Sequence, residues 1–299
     1  MSVDILSFRC IHRHTAESHP RCWERYQKGE TKSLQVGRPR HTRPAKILLI
    51  DIETLPGEYY AFSPKVDYLT PDKKIKGWSI ACWGAKWLFE DTIMGERVTI
   101  QEAFDRKEGV MLENIWKLLN EAQIVVTQNG IEFDLKKLNS KFIDHHLPPP
   151  AKFLNVDTFK TAKYVFGEDY NRLDELGKKF GIGAKLDMSF IDWKNCLSND
   201  EKADVALDYM LTYCKRDIAP LLEDVYLAML PYMDNHPNMN VFSDNDTMIC
   251  RNCGSSDLYW GEKPYATPQG LWMSWRCNSC GATGRGTSKE YKIKGVLLK

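Results

Sequence analysis

Apolar residues come in short runs whose spacing switches between the periods of strands and helices. The four aliphatic residues Ile47–Ile50 run straight into Asp51, Glu53 and Thr54, which predicts a buried strand carrying carboxylates at its C-terminal end. The tryptophan-rich stretch 77–89 alternates weakly and predicts a second strand, and 91–98 predicts a third. In 111–123, Met111, Leu112, Ile115, Leu118 and Leu119 are helically spaced, and 124–130 reads as another strand. Residues 134–147 predict a helix that stops before Pro148–Pro150. Residues 153–159 predict a short strand, and 172–183 a helix with glycine stops. The stretch 200–230 is helical in period, with Ser198 and Asn199 as capping candidates and Pro220 placed to kink or split it. Strands and helices in this succession predict an α/β domain over 47–235. No internal repeat is visible.

Outside that domain the composition shifts. Residues 24–46 are polar, basic and punctuated by proline, the character of a linker or arm, and 231–246 are turn-rich linker. The chain therefore divides into a basic N-terminal module (1–46), the α/β domain (47–235) and a C-terminal segment (248–299). Its 299 residues are 43% hydrophobic, ample for a real core. No run approaches the roughly 18 apolar residues of a membrane span, and the N-terminus lacks an apolar signal core. A soluble, cytoplasmic protein with no membrane partner is expected.

The net charge of +1 conceals a split. Residues 1–46 hold ten Lys/Arg against four Asp/Glu, 250–299 hold eight against three, and 47–249 hold 23 against 33. Basic ends suit a polyanion, and an acidic centre can keep carboxylates for metal; solvated surface charge is the plainer alternative.

Three short segments carry candidate chemistry. In Asp51-Ile52-Glu53-Thr54, residues two apart share a strand face, so the two acids converge. In Asn129-Gly130-Ile131-Glu132-Phe133-Asp134, a strand end turns into a helix and presents Asp134. In Tyr213-Cys214-Lys215-Arg216-Asp217, helical spacing stacks the tyrosine above the aspartate. Acids gathered in this way repel one another unless divalent metal neutralises them, and hard oxygen ligands favour Mg²⁺ or Mn²⁺. Two such ions about 4 Å apart are an arrangement that hydrolyses phosphodiesters.

In this order, the three segments resemble the exonuclease motifs of the DnaQ-like, ribonuclease-H-fold superfamily. Tyrosine four residues before the last aspartate resembles the DEDDy branch, and Val156-Asp157-Thr158 with Asn171-Arg172-Leu173-Asp174 to Lys185 resembles the linking segment of phage-borne members. The resemblance covers about 47–230. It implies a ribonuclease-H-like mixed sheet flanked by helices, and a 3′→5′ exonuclease acting on single-stranded DNA with two Mg²⁺ or Mn²⁺ ions. Asp51, Glu53 and Asp217 would bind the metal at the nucleophile, with Asp51 bridging to the second ion, Asp134 supporting it and Tyr213 orienting the attacking water. Thr54, Leu55, Asn129 and Phe133 would contact substrate, the leucine wedging against a base. Core packing beneath Asp134 is the alternative for Phe133. Asp157 and Asp174 match no motif. An RNA-trimming enzyme of the same fold and a catalytically silent nucleic-acid adaptor are the rival readings. A polymerase or other replication protein would be a partner, and the host cytoplasm the location if phage-borne.

The cysteines add a second chemistry. Cys250-x2-Cys253-Gly254 and Cys277-x2-Cys280-Gly281 are paired knuckles that resemble a zinc ribbon, implying one structural Zn²⁺. The aromatics Tyr259, Trp260, Tyr265, Trp272 and Trp275 interleave with Arg251, Lys263, Arg276 and Arg285 there, which suits either stacking on single-stranded nucleic acid or the ribbon's own core. Cys10, His12, His14, His19 and Cys22 offer five ligands in thirteen residues, a candidate second Zn²⁺ site or a small basic module with packed cysteines. Pro20 sits at the first turn of a helix that would present Cys22.

Overall fold

The protein is described here from a computed structural model, in which residues 20–28, 45–243 and 248–289 are described. In chain order the elements are α1 (Pro20–Gln27), β1 (Ile47–Leu55), β2 (Glu58–Tyr59), β3 (Lys74–Lys76), β4 (Ser79–Trp87), β5 (Ile93–Arg97), α2 (Ile100–Asp105), α3 (Met111–Glu121), β6 (Ile124–Thr127) and α4 (Asp134–Asp144). They continue with β7 (Leu154–Asp157), α5 (Thr158–Val165), α6 (Leu173–Lys179), α7 (Phe190–Asn195), α8 (Glu201–Arg216), α9 (Glu223–Met229), β8 (Leu258–Thr267), β9 (Gly270–Cys277) and β10 (Thr283–Lys289). The described residues form two compact units, Lys46–Val225 and a second drawn from 20–28, 45, 226–243 and 248–289. No helix among the described residues is long and apolar enough to cross a membrane.

In the first unit five strands form one mixed sheet in the order β5-β4-β1-β6-β7. β1 pairs antiparallel with β4 and parallel with β6, so the predicted acid-bearing strand is central. Its aliphatic run is buried on both faces, as is almost all of β4, which is why the expected alternation of 77–89 is weak. The Trp83 indole donates to the Met111 carbonyl at 3.0 Å and ties one face of the sheet to α3. α8 packs across β4 and β5. This is the predicted ribonuclease-H-like α/β fold.

Two glycines set how closely α8 can approach. Gly84 and Gly95 are register partners on β4 and β5. A Cβ on Gly84 would lie 3.2 Å from Cys214 Sγ and from Ile218 Cγ1, and one on Gly95 would lie 2.7 Å from Lys215 Cε. The bare patch lets the helix rest on the strands, and a side chain there would lift it.

The helical stretch 200–230 splits at Pro220, as expected: after α8, Asp217–Leu222 form a wider turn with Ala219 extended before Pro220, and then α9 resumes. Other local expectations are revised. The predicted strand 153–159 ends at Asp157, whose side chain caps α5 by accepting from the Lys160 amide. Of the expected linker 231–246, the described part 231–243 is not plain linker. Met233, His236 and Met239 are buried in the second unit, and the Tyr226 hydroxyl meets His236 Nε2 at 2.8 Å. Burial pushes His236 down to about 4, keeping the ring neutral.

In the second unit β8, β9 and β10 form an antiparallel sheet beside the cysteine knuckles. Pro20 does occupy the first position of α1. Cys10, His12, His14 and His19, and the side chain of Cys22, lie outside what is described.

Candidate functional site

Asp51 and Glu53 point from β1 to the sheet face that carries α8, because their register partners on β4 are Gly84 and Cys82. The pairing shifts between Glu53 and Thr54, a local irregularity of the kind that re-aims side chains at the end of a strand. From the other side, the end of α8 brings up Asp217 at the first residue of its widened turn. Ligand oxygens of Asp51, Glu53 and Asp217 all lie within 4.8 Å of one another. Asp134, at the start of α4, is buried beside them and accepts from the Ile52 amide at 3.0 Å.

The cost of crowding these acids shows in their proton affinities. Burial and then the charge of Asp134 push Asp51 well above the ordinary carboxylate value. Burial lifts Glu53 to about 8 and Asp134 to about 7, and it raises Asp217 as well. Such a cluster keeps protons at neutral pH or takes up cations.

One cation is already built in. Lys185 Nζ pairs with Asp217 Oδ2 and lies 3.2 Å from the Tyr213 hydroxyl. Burial works against its charge, but the Asp217 carboxylate outweighs that and holds the ammonium above its ordinary value. Asp174 Oδ1 in turn accepts from the Lys185 backbone amide at 2.9 Å, fixing where the lysine enters. Burial raises Tyr213 to about 12, so its hydroxyl keeps its proton. Cys214 donates to the Asp51 carbonyl at 3.4 Å, its thiol also kept protonated by burial.

Lys185 and Cys214 are site residues to which sequence reasoning gave no role. Lys185 was named only as the end of the linking segment, in the irregular chain between α6 and α7. Asp157 and Asp174, which matched no motif, hold backbone instead of metal. Asp157 accepts from the Asn129 amide at 3.0 Å and from the Ile131 amide at 3.4 Å, securing the turn before Asp134. Asn129 takes a left-handed backbone there, at φ 63°.

The substrate expectations divide. Thr54 is half-buried at the strand end. Phe133 is 39% exposed, so it is not packed beneath Asp134, and Lys137 Nζ lies 5.7 Å from its ring centre. Leu55 needs correcting: it is 0% exposed within the core cluster and has no face to wedge against a base. A cleft of about 630 Å³ opens beside the acids, lined by Asn129, Phe159, Arg172, Lys185 and Tyr213 among others.

The second candidate site is made of sulfur. Ligand atoms of Cys250, Cys253, Cys277 and Cys280 lie within 4.8 Å of one another, and no disulfide joins them. The Cys250–Cys280 and Cys253–Cys277 sulfurs are 3.6 Å and 3.5 Å apart. Tetrahedral zinc with bonds near 2.3 Å needs sulfur separations of about 3.8 Å, so the cage has the right size. The two knuckles repeat one turn. Gly254 and Gly281, at φ 73° and 84°, return their amides to the Cys250 and Cys277 carbonyls. Amides of Cys280 and Ala282 donate to sulfur at 3.5 Å and 3.4 Å. Hydrogen bonds among the four sulfurs hold Cys250 and Cys277 below the ordinary thiol value and Cys253 and Cys280 above it, so ionising all four calls for a cation among them.

No protein-family model matches the chain. No curated protein matches it by sequence. Among solved structures it is similar to the family B DNA polymerase from the hyperthermophilic archaeon Pyrobaculum calidifontis, at 15% identity and a TM-score of 0.44 over 75% of this chain. The match spans 31% of that polymerase, and a likeness at this level bears on neither substrate nor reaction.

Proposed function

We propose that the unit Lys46–Val225 is a metal-dependent phosphodiesterase that removes nucleotides from the 3′ end of single-stranded DNA. The observation that carries this reading is the convergence of Asp51, Glu53 and Asp217 within 4.8 Å. The 3′ polarity rests on the motif resemblance.

Two Mg²⁺ or Mn²⁺ ions held by these acids, with Asp134 beside Asp51, would neutralise the phosphodiester and activate a water for in-line attack. The chain's own groups prepare that step. Lys185, seated on Asp217, offsets the acids' mutual repulsion, and its ammonium would be within the site to meet a phosphate oxygen if cations took over that charge. Tyr213, holding its proton at neutral pH, orients by donating and does not act as a base. The cleft past Asn129 and Arg172 gives the terminal nucleotide a place with hydrogen-bonding walls, where Arg172 and Lys185 stand among the acids Asp174, Glu175 and Asp187. The cysteine cage is proposed as a structural zinc site.

The test is a 5′-labelled 20-nucleotide single strand incubated with the protein and Mg²⁺, with an RNA strand of the same sequence in parallel. The expected result is a ladder of DNA products shortened from the 3′ end, absent in EDTA and absent with Asp51→Ala. An intact strand overturns the reading, and so does cleavage that survives Asp51→Ala. Shortening of the RNA strand alone overturns the assignment to DNA.

A further inference from the structure

The ribbon's aromatics are sorted by its sheet. Strand alternation and register place Trp272, Ser274 and Arg276 of β9 on one face, opposite Tyr265, Gly261 and Tyr259 of β8. β10 adds Arg285 beside Ser274 and Thr283 beside Arg276 on that same face. The other face takes Trp260, Trp275 and Cys277. Trp275 is 8% exposed and lies over Gly284, and Trp260 lies over Gly286. Two tryptophans therefore serve the ribbon's own core.

The remaining rings do not. Tyr259 is 55% exposed and Tyr265 41%. The Arg285 guanidinium stacks 3.9 Å from the centre of the half-buried Trp272 ring. Arg276 is exposed directly opposite Tyr259, and Lys263 is exposed two residues from Tyr265. Asp257, just before β8, has a partner of its own, accepting from the Asn278 amide group at 2.8 Å. Along β9 the Trp272 and Arg276 rungs stand about 13 Å apart at ~3.3 Å per residue. The face thus offers rings at two rungs with guanidinium groups between and beside them.

We propose that this face of the β8–β9–β10 sheet is a stacking platform for single-stranded DNA, a binding surface additional to the acid site. Rings accept unpaired bases of any sequence, and the guanidinium groups meet the phosphates that string them together. A duplex hides its base faces, so the rings would be idle against it. The strand is taken as DNA, the substrate proposed for the acid site, and an unpaired DNA strand supplies the bases and phosphates that these rings and guanidinium groups meet.

The experiment uses the full-length, zinc-loaded chain carrying Asp51→Ala, so that bound strands are not consumed. Binding of fluorescein-labelled dT20 is followed by anisotropy at several salt concentrations. Tyr259→Ala and Tyr265→Ala should each weaken dT20 binding about tenfold, the order expected for a lost stacking partner. Arg276→Gln and Arg285→Gln should each lower the salt slope by about 0.7. Zinc content should stay at the level of the parent, which separates lost contacts from a lost fold. The proposal is overturned if the double tyrosine variant, zinc intact, binds dT20 within twofold of its parent. It is equally overturned if a 20-base-pair duplex binds tighter than dT20, or if U20 outcompetes dT20 by tenfold. Because binding is read in a background without Asp51, failure here leaves the phosphodiesterase reading standing, and the converse holds.

Discussion

The acid cluster and the cysteine cage face the same problem and answer it differently. Each crowds like-charging ligands within 4.8 Å. The cage is local and symmetrical: two knuckles, each with its own glycine turn, and backbone amides aimed at sulfur. It holds no cationic side chain among the described residues, so ionising all four thiols depends on a metal. The acid site is assembled from far-apart segments by the sheet and α8, and it brings its own cation, Lys185. On the proposed reading the two sites would differ in permanence: a cage without an internal counter-ion would keep its metal, whereas a site with a lysine already on one ligand would exchange cations during use.

The comparison breaks first at Asp217→Ala. That change should abolish Mg²⁺-dependent cleavage while the fold survives, because removing one acid relieves repulsion in the metal-free protein. Near-normal cleavage by this variant would remove the acid site from the account. The sulfur site breaks at Cys277→Ser, which should take zinc from about one ion per chain to none by the four-ligand rule. Metal analysis of the purified variant checks it. Cleavage of short strands, read in the same preparation, should persist if the acid unit works alone.

Lys185→Met sharpens the contrast. Without metal it should lower the melting temperature by several degrees, about 2–4 °C for each kcal/mol in a domain of this size. Saturating Mg²⁺ should narrow the gap, since the ions then supply the charge that the lysine gave. A gap that Mg²⁺ leaves unchanged would show that Lys185 is not acting as the counter-ion.

The pH dependence is a smaller effect with a definite sign. Glu53 moves from an ordinary 4.5 to about 8 in the fold, so in that window the folded state binds more protons than the unfolded one. Stability of the metal-free protein should therefore fall as pH rises from about 4.5 to about 8. Mg²⁺ should flatten that slope, and denaturant melts at four pH values with and without the ion would check it. Tyr213→Phe should be mildest, reducing turnover without changing metal content, because only a donated hydrogen bond is lost.

How far the sequence carried this picture depended on distance along the chain. The cysteine cage was legible because its ligands sit in two local spacings. The acid strand was legible because Asp51 and Glu53 come in order with the two later motifs; alone, such a pair is usually a strand entering a loop. The counter-ion role of Lys185 was invisible, since its partners Asp217 and Tyr213 lie 32 and 28 residues away and no periodic signal ties them. The Gly84–Gly95 patch escaped for a like reason: each is ordinary alone, and only strand register makes them one surface. Leu55 misled because its position in the motif says nothing of the core beneath it. The ribbon's rings could not be apportioned between core and surface until the register of β8 against β9 was known.

One measurement addresses both sites together. Crystals of the full-length chain, grown with Mn²⁺ and measured at the manganese and zinc absorption edges, would locate each metal by its anomalous signal. The expected result is manganese among Asp51, Glu53 and Asp217 with the Lys185 ammonium displaced from Asp217, and zinc confined to Cys250, Cys253, Cys277 and Cys280. A bare acid cluster with Lys185 still seated on Asp217, while zinc fills the cysteine cage, would contradict the account of the acid site as a metal centre.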